Sequence, residues 1–441
     1  MTGSGNSPAS SADRSGAPKE RNWAGNHEYH GTIERPATID EAIAIVRSSG
    51  SVRAVGSRHS FTDMADADVI VDTSRIERPD VFDADARTVT IAGAATYADV
   101  ARVLRPNGAA LRNLASLPHL SVAGAVATGT HGSGTSLGNL ATSVAGFEVV
   151  SAAGEVLTFD RRTPDFDGMV VSMGGLGLVT AVSLDVDFDY EVAQHVYGDV
   201  SLDLVADQLG LVLGAAYSVS IFTTFAGDLD GQVAHIWLKR RTDGSDRSMA
   251  PGPTFLDAPA ATMQHHPLPG LDGAGCTRQL GVPGLWCDRL PHFRMGHTPS
   301  VGKEIQSEFF VAAADGPAAL DALRRVSGDF VDQLLVGEIR AVAADELWMS
   351  PAYRRDSVTF HFTWRAGGDG DDNAAVSGAI RTVEAALGPF TPRPHWGKVF
   401  HSDDFSPAAA YEMYDDFIDL VARLDPHGVF RNPWWHRVLD H

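Results

Sequence analysis

Apolar residues recur along this chain in two rhythms, and the switching between them predicts an α+β or α/β protein. Ile39, Ala42, Ile43 and Val46 repeat at helical spacing behind Thr38-Ile39-Asp40-Glu41, which reads as a capping box. That helix should reach about Ser48. Val52–Val55 and Val69–Asp72 are apolar runs of strand length. Val81–Asp85 and Thr88–Ala92 read as a hairpin across Ala86-Arg87. Thr96-Tyr97-Ala98-Asp99 opens a helix that stops near Arg105-Pro106-Asn107-Gly108. Gly146–Val150 and Val156–Phe159 form a second hairpin, followed by the strand Ala181–Val186. From about Glu191 the pattern predicts strands at Val192–Tyr197, Tyr217–Phe222 and Val233–Leu238, with one helix over Leu202–Leu213.

Two later strands carry polar residues in step. In Val336–Val342, Glu338 and Arg340 are two apart and share a face, while Ile339 faces away. The bland reading is a surface ion pair; the apolar flanks favour an interior strand. In Ser357–Trp364, Val358, Phe360, Phe362 and Trp364 form one face and Ser357, Thr359, His361 and Thr363 the other. A wet outer face and a polar cavity wall give the same alternation. His395-Trp396-Gly397-Lys398 offers a cation, read either as a site lysine or as a surface lysine lying over Trp396. The basic run Lys239-Arg240-Arg241 reads as a solvated strand end.

Three stretches lack periodicity. Residues 1–19 are rich in Ser, Gly, Pro and Ala and are expected to be disordered. Asn113–Gly138 is crowded with small residues, which suits a backbone lying against a large ligand. Residues 242–299 form a Pro/Gly-rich excursion, expected to be a lid or packing arm. Between Val55 and the next strand lies Gly56-Ser57-Arg58-His59-Ser60-Phe61. There Gly56 permits a sharp turn, the serines offer donors for an anion, and His59 is a candidate nucleophile.

Lys+Arg 35 against Asp+Glu 56 leaves a net charge of −21, which argues against nucleic acid or an anionic membrane as partner. No apolar run approaches the roughly 18 residues of a membrane span. With no secretory pattern, cytoplasm is the expected location. Cys276 and Cys287 fit neither a zinc pair nor a redox pair, and two free buried thiols are expected. His265-His266 has no third ligand at recognisable spacing, so no metal is expected. Gly134–Gly138 matches the Gly-x-Ser-x-Gly elbow of hydrolases, but without a leading strand it is a chance match. The dinucleotide fingerprint G-x-G-x-x-G is absent.

Three motifs in order carry a resemblance: Arg53–Phe61, Asn113–Gly124 running into Ala127–Gly132, and Arg393–Lys398. Together they resemble the vanillyl-alcohol-oxidase superfamily, and within it the alditol (xylitol) oxidases. The resemblance implies an α+β chain. It would comprise a disordered tail (1–20), a two-subdomain FAD-binding domain (21–190), and a substrate domain with a mainly antiparallel sheet flanked by helices (191–400). A C-terminal segment (401–441) would return to the FAD domain. It implies FAD tied covalently through His59. Cofactor contacts are expected from Ala54, Val55, Gly56, Ser57, Arg58, Ser60, Ser116, Ser121, Gly124, Thr128, Gly129, Thr130, His131, Val179 and His395. Glu338, Arg340, Lys398, His361, Thr363 and Ser116 are expected to act on a polyol, with O2 reduced to hydrogen peroxide. A monomer or small homo-oligomer is expected. Aldonolactone oxidation, a flavin- or sugar-binding role without turnover, and a serine hydrolase are the competing readings. Arg58 stands where many relatives have Gly, and Pro433-Trp434-Trp435-His436 is bulkier than their usual ending, which was expected to reshape the site rim or an oligomer contact.

Overall fold

Three sheets organise the chain. They are seen in a computed structural model that describes residues 20–246, 248, 251–297, 304–366 and 371–440. The expected tail lies outside these residues except for Glu20. Thr32–Glu34, Val52–Val55 and Val69–Asp72 form a parallel sheet with Val69–Asp72 in the middle. Both expected hairpins join a five-stranded antiparallel sheet, in which Leu178–Asp185 lies between Thr88–Ala92 and Val144–Val150. The helix Tyr97–Leu104 carries a complete capping box from Thr96 and Asp99. The helix Ile39–Ser48 is capped by the Thr38 side chain alone, because the Glu41 carboxylate takes the N–H of Ala37.

The third sheet has eight strands, among them Glu191–Ser201, Ser218–Thr223, Val233–Arg241, Glu304–Ala312, Leu334–Val342 and Ser357–Arg365, all paired antiparallel. Its two faces differ in chemistry. Ile221, Leu238, Phe309, Ile339, Phe360 and Phe362 pack in one apolar core with Leu320 and Leu323 of helix Gly316–Arg325 and Ile380 and Val383 of helix Asp371–Leu387. The opposite face turns toward the small-residue stretch 113–138. The expected helix over Leu202–Leu213 is two short helices, Leu202–Asp207 and Leu209–Leu213, with the break at Gln208.

The chain end packs against the strand Val52–Val55. Val52 donates to the carbonyl of Val429 at 2.8 Å. Arg53, buried without a carboxylate, donates to the carbonyls of Met64, Phe430 and Met173. Asn432 caps the helix Pro433–Leu439. Trp434 and Trp435 do not shape a rim, contrary to expectation. Both are buried in the larger apolar core, because that helix lays its aromatic face against Phe417 and Trp396. Among the described residues no helix is long and apolar enough to cross a membrane.

Candidate active site: a dinucleotide cradle facing a charged sheet

A cavity of about 720 Å³ lies between the loops and the eight-stranded sheet, with Arg53, Thr73, Glu338 and Lys398 among the residues that line it. The loop wall is built from the expected motifs. A Cβ on Gly56 would sit 2.1 Å from Ser121 Oγ, so only glycine lets these two loops meet. They are then pinned reciprocally: Ser57 N donates to Ser121 Oγ at 3.2 Å, and Ser121 N donates to Ser57 Oγ at 3.0 Å. Arg58 adopts φ 62°, the left-handed conformation for which glycine is the easier residue. Its guanidinium holds it there by pairing with Glu20 and lying 3.5 Å from Asp72. His59 stacks on Trp23 and places Nδ1 2.9 Å from the Ser57 carbonyl. Burial pushes its pKa down to about 4, so at neutral pH it is an uncharged imidazole able to act as a nucleophile.

Ala54, Val55, Ser60, Ser116, Gly124, Thr128, Thr130, His131, Val179 and His395 also line the cavity. Gly129 does not. It turns the chain in a left-handed conformation just after the helix Val122–Ala127, and its side faces Pro351.

The opposite wall is the polar face of the sheet. Register sets His361 beside Glu338 and Thr363 beside Val336. This resolves the alternation in Ser357–Trp364 in part: His361 and Thr363 line the cavity, while Ser357 and Thr359 are buried away from it. Glu338 and Arg340 do share a face, with Arg340 Nε 3.7 Å from Glu338 Oε1. Arg340 Nη2 reaches further, to Glu308 Oε1 at 2.7 Å, while Lys398 Nζ donates to Glu308 Oε2 at 2.6 Å. His131 Nε2 lies 3.1 Å from the same carboxylate without hydrogen-bond alignment. Lys398 is therefore a largely buried lysine that lines the cavity rather than a surface one, and Trp396 is occupied elsewhere, donating to the Met349 carbonyl.

Charge here is strongly coupled. Burial alone would raise Glu308, but Arg340 and Lys398 bring it well below the usual carboxylate range. Glu338 goes the same way against its burial, through Arg340 and His292. Lys398 is lowered by burial despite Glu308. His361 and His395 are pushed down by burial and by Lys398, and so stand neutral.

Three participants were not expected. Glu308 has a fully buried side chain and binds both site cations. His292, from the irregular excursion, donates Nε2–H to Glu338 Oε1 at 2.8 Å. Lys239, expected at a solvated strand end, is only 1% exposed and touches His292 Nδ1 at 3.1 Å. The basic run misled because alternation turns Lys239 inward with Trp237, while Arg240 and Arg241 find carboxylates near the surface. The excursion is thus a packing arm: His292 N–H bonds the Ser116 carbonyl, and Cys276 and Cys287 are free and buried. One surface group, His27, His30 and Asp66, brings three potential metal ligands together, but their nitrogens already bond Asp66 Oδ2.

The residues fit FAD. A long cradle with a glycine at its tightest point faces a wall on which His361 Nδ1 and Arg340 Nε are buried without hydrogen-bond partners. Residues 32–160 match the model of an FAD binding domain, and residues 301–438 match that of D-arabinono-1,4-lactone oxidase. The fold is shared with cholesterol oxidase from B. sterolicum, with a TM-score of 0.72 over 96% of each chain at 12% identity. Cradle and wall therefore define an FAD-dependent oxidoreductase. An alditol oxidase from Streptomyces sp. (strain IKD472 / FERM P-14339) is 42% identical over 424 residues, 95% of this chain and 98% of the relative. An L-gulono-1,4-lactone dehydrogenase from Mycobacterium tuberculosis (strain ATCC 25618 / H37Rv) is 28% identical over 96% of this chain and 99% of its own. The chain belongs to the alditol oxidase family of vanillyl-alcohol-oxidase-type flavoproteins.

Proposed function

We propose that this protein oxidises the terminal CH2–OH of an alditol such as xylitol to the aldose, reducing O2 to hydrogen peroxide. The observation that carries the reading is the charged wall facing the cradle: Arg340, buried, and Lys398, largely buried, held by one carboxylate. FAD, when bound, supplies the acceptor for the substrate's hydride and passes the electrons to O2. Residues 21–190 with the returning 401–441 would hold it, and residues 191–400 would hold the polyol.

The chain's own part is to make hydride loss favourable. A C–H bond gives up hydride more readily as the oxygen on that carbon becomes alkoxide-like. Arg340 and Lys398, which line the cavity, would offer two cations to that oxygen away from bulk water, where such donors are worth most. Glu338 keeps Oε2 available to take the hydroxyl proton or bind a neighbouring hydroxyl. His361, Thr363 and Ser116 read further hydroxyls, and an analogue lacking them would leave buried polar groups unpaired. A sugar lactone is the second candidate substrate, because the lactone-oxidase match covers the strands that carry Glu308, Glu338 and Arg340.

Anaerobic addition of xylitol should bleach the flavin, and admitting air should restore it with release of peroxide. Bleaching without recovery would point to another electron acceptor, and no bleaching would shift the assignment to lactones. Lys398→Met should slow the bleaching about 100-fold, the cost of one transition-state donor. A Lys398→Met rate equal to that of the parent would remove Lys398 from the chemistry.

His59 is proposed as the covalent tether. Its uncharged ring and fixed orientation support this. Acid-precipitated protein should carry its yellow colour into the pellet, whereas His59→Ala should leave the flavin in the supernatant. Colour retained in the His59→Ala pellet would place the bond on another residue.

A further inference from the structure

The carboxylate of Glu338 is approached from behind by a chain of two buried side chains. Lys239 Nζ bonds the Leu290 carbonyl and His292 Nδ1, the latter at 3.1 Å, and His292 Nε2 bonds Glu338 Oε1 at 2.8 Å. Lys239 is 1% and His292 5% exposed. No carboxylate lies within ion-pair distance of Lys239 among the described residues. The other titratable groups felt in the chain are Cys276 near Lys239, and Arg340 and His361 near Glu338. Phe222 and Trp237 pack edge-on against the His292 ring.

An isolated buried lysine is costly, and its retention here needs a use. A lysine N–H aimed at His292 Nδ1 makes that nitrogen an acceptor. The ring proton must then sit on Nε2, where the Glu338 carboxylate needs a donor. Both ends of the chain select the same tautomer.

We propose that Lys239 is a positioning residue for the oxidation: through His292 it fixes Glu338 Oε1, leaving Oε2 as the oxygen that meets the substrate. It touches neither polyol nor flavin. The logic is that of a buried carboxylate orienting a catalytic histidine, with the order reversed so that a histidine orients the carboxylate. This rests on the reading of Glu338 as a polyol-binding carboxylate.

Two measurements test it. In protein with 15N-labelled histidine, the His292 ring signals, assigned by their loss in His292→Gln, should report the Nε2–H tautomer. Lys239→Met, which removes the donor but fills the space, should shift the unprotonated Nδ1 resonance, which loses its hydrogen bond, while Glu338 still holds the proton on Nε2. In stopped flow with xylitol, Lys239→Met should slow flavin reduction about tenfold in the parent protein. It should have little effect in His292→Gln, whose amide can donate without a tautomer to select. Unchanged His292 signals in Lys239→Met would overturn the proposal, and so would an equal tenfold loss in both backgrounds, which marks a merely structural lysine. If polyols fail to reduce the parent protein, the substrate assignment falls, while the tautomer measurement still decides the role of Lys239.

Discussion

Glu308→Gln is expected to slow polyol-driven flavin reduction about 1,000-fold at neutral pH, more than the loss of either cation it binds. The carboxylate accepts from Arg340 and Lys398 at 2.7 and 2.6 Å, and its side chain has no exposed surface. A glutamine oxygen can satisfy one of the two donors, and its NH2 then faces the other. Lys398 is already lowered by burial and raised by Glu308, so without that carboxylate it is lowered further and its charged form is less favoured. Both alkoxide-stabilising cations are then compromised together, each worth about 100- to 1,000-fold. Breaking a buried charge cluster also costs about 3 kcal/mol or more of stability, so the variant should melt at a lower temperature. The sign of the pH response separates chemistry from folding. Acidification favours the protonated Lys398, so the variant's reduction rate should rise relative to the parent's as the pH is lowered. A rate within threefold of the parent at pH 7 would show that Glu308 is only a structural counter-ion.

Glu308 also shows where sequence reasoning stopped. Glu338 and Arg340 were legible because one strand holds both and a period of two puts them on one face. The loop Gly56–Ser60 was legible because a glycine, two serines and a histidine follow a strand at once. Glu308 lies on Glu304–Ala312, whose alternation of Gln306, Glu308 and Phe310 against Ser307, Phe309 and Val311 carries the same signal as Ser357–Trp364. Phe309-Phe310 breaks the contrast between faces, and a Glu in a strand reads as solvated until its partners are known. Those partners come from two other segments, at separations of 32 and 90 residues.

His292 was illegible for a different reason. It sits in a stretch with no period, and its position depends on backbone bonds to Ser116 and Thr277 that no local pattern announces. Lys239 was masked by its neighbours, since three consecutive basic residues look like a charge run whichever face the first one takes. Arg58 was legible as a departure but not as a mechanism. Its left-handed backbone is held by Glu20 and Asp72, which substitute ion pairing for glycine's freedom.

The site's neutral histidines should make the protein sensitive to mild acid. His131, His292, His361 and His395 are all lowered by burial, His292 to about 4. His59, also pushed to about 4, joins them in protein without a flavin bond. A histidine whose folded pKa is depressed contributes stability above its unfolded value of about 6.5, and that contribution is lost as pH falls toward the folded value. At pH 5 the unfolded chain takes up protons that the folded site refuses, and His292 alone then removes roughly 2 kcal/mol. Glu308 and Glu338 are depressed as well, but their contribution begins to fade only below about pH 4.3. Lys239, lowered to about 7, begins to lose its proton in the folded state only near pH 7 and adds just about 0.4 kcal/mol to the difference, with the same sign. Urea unfolding followed by tryptophan fluorescence should therefore give a stability at pH 5 several kcal/mol below that at pH 7. His292→Gln should shrink that gap by about 2 kcal/mol. General electrostatics predicts the opposite trend, because the net charge of −21 at pH 7 approaches zero near the pI of about 5.1 and self-repulsion fades. Equal or greater stability at pH 5, together with a gap left unchanged by His292→Gln, would mean that these imidazoles take up protons within the folded protein, and the neutral site would have to be abandoned.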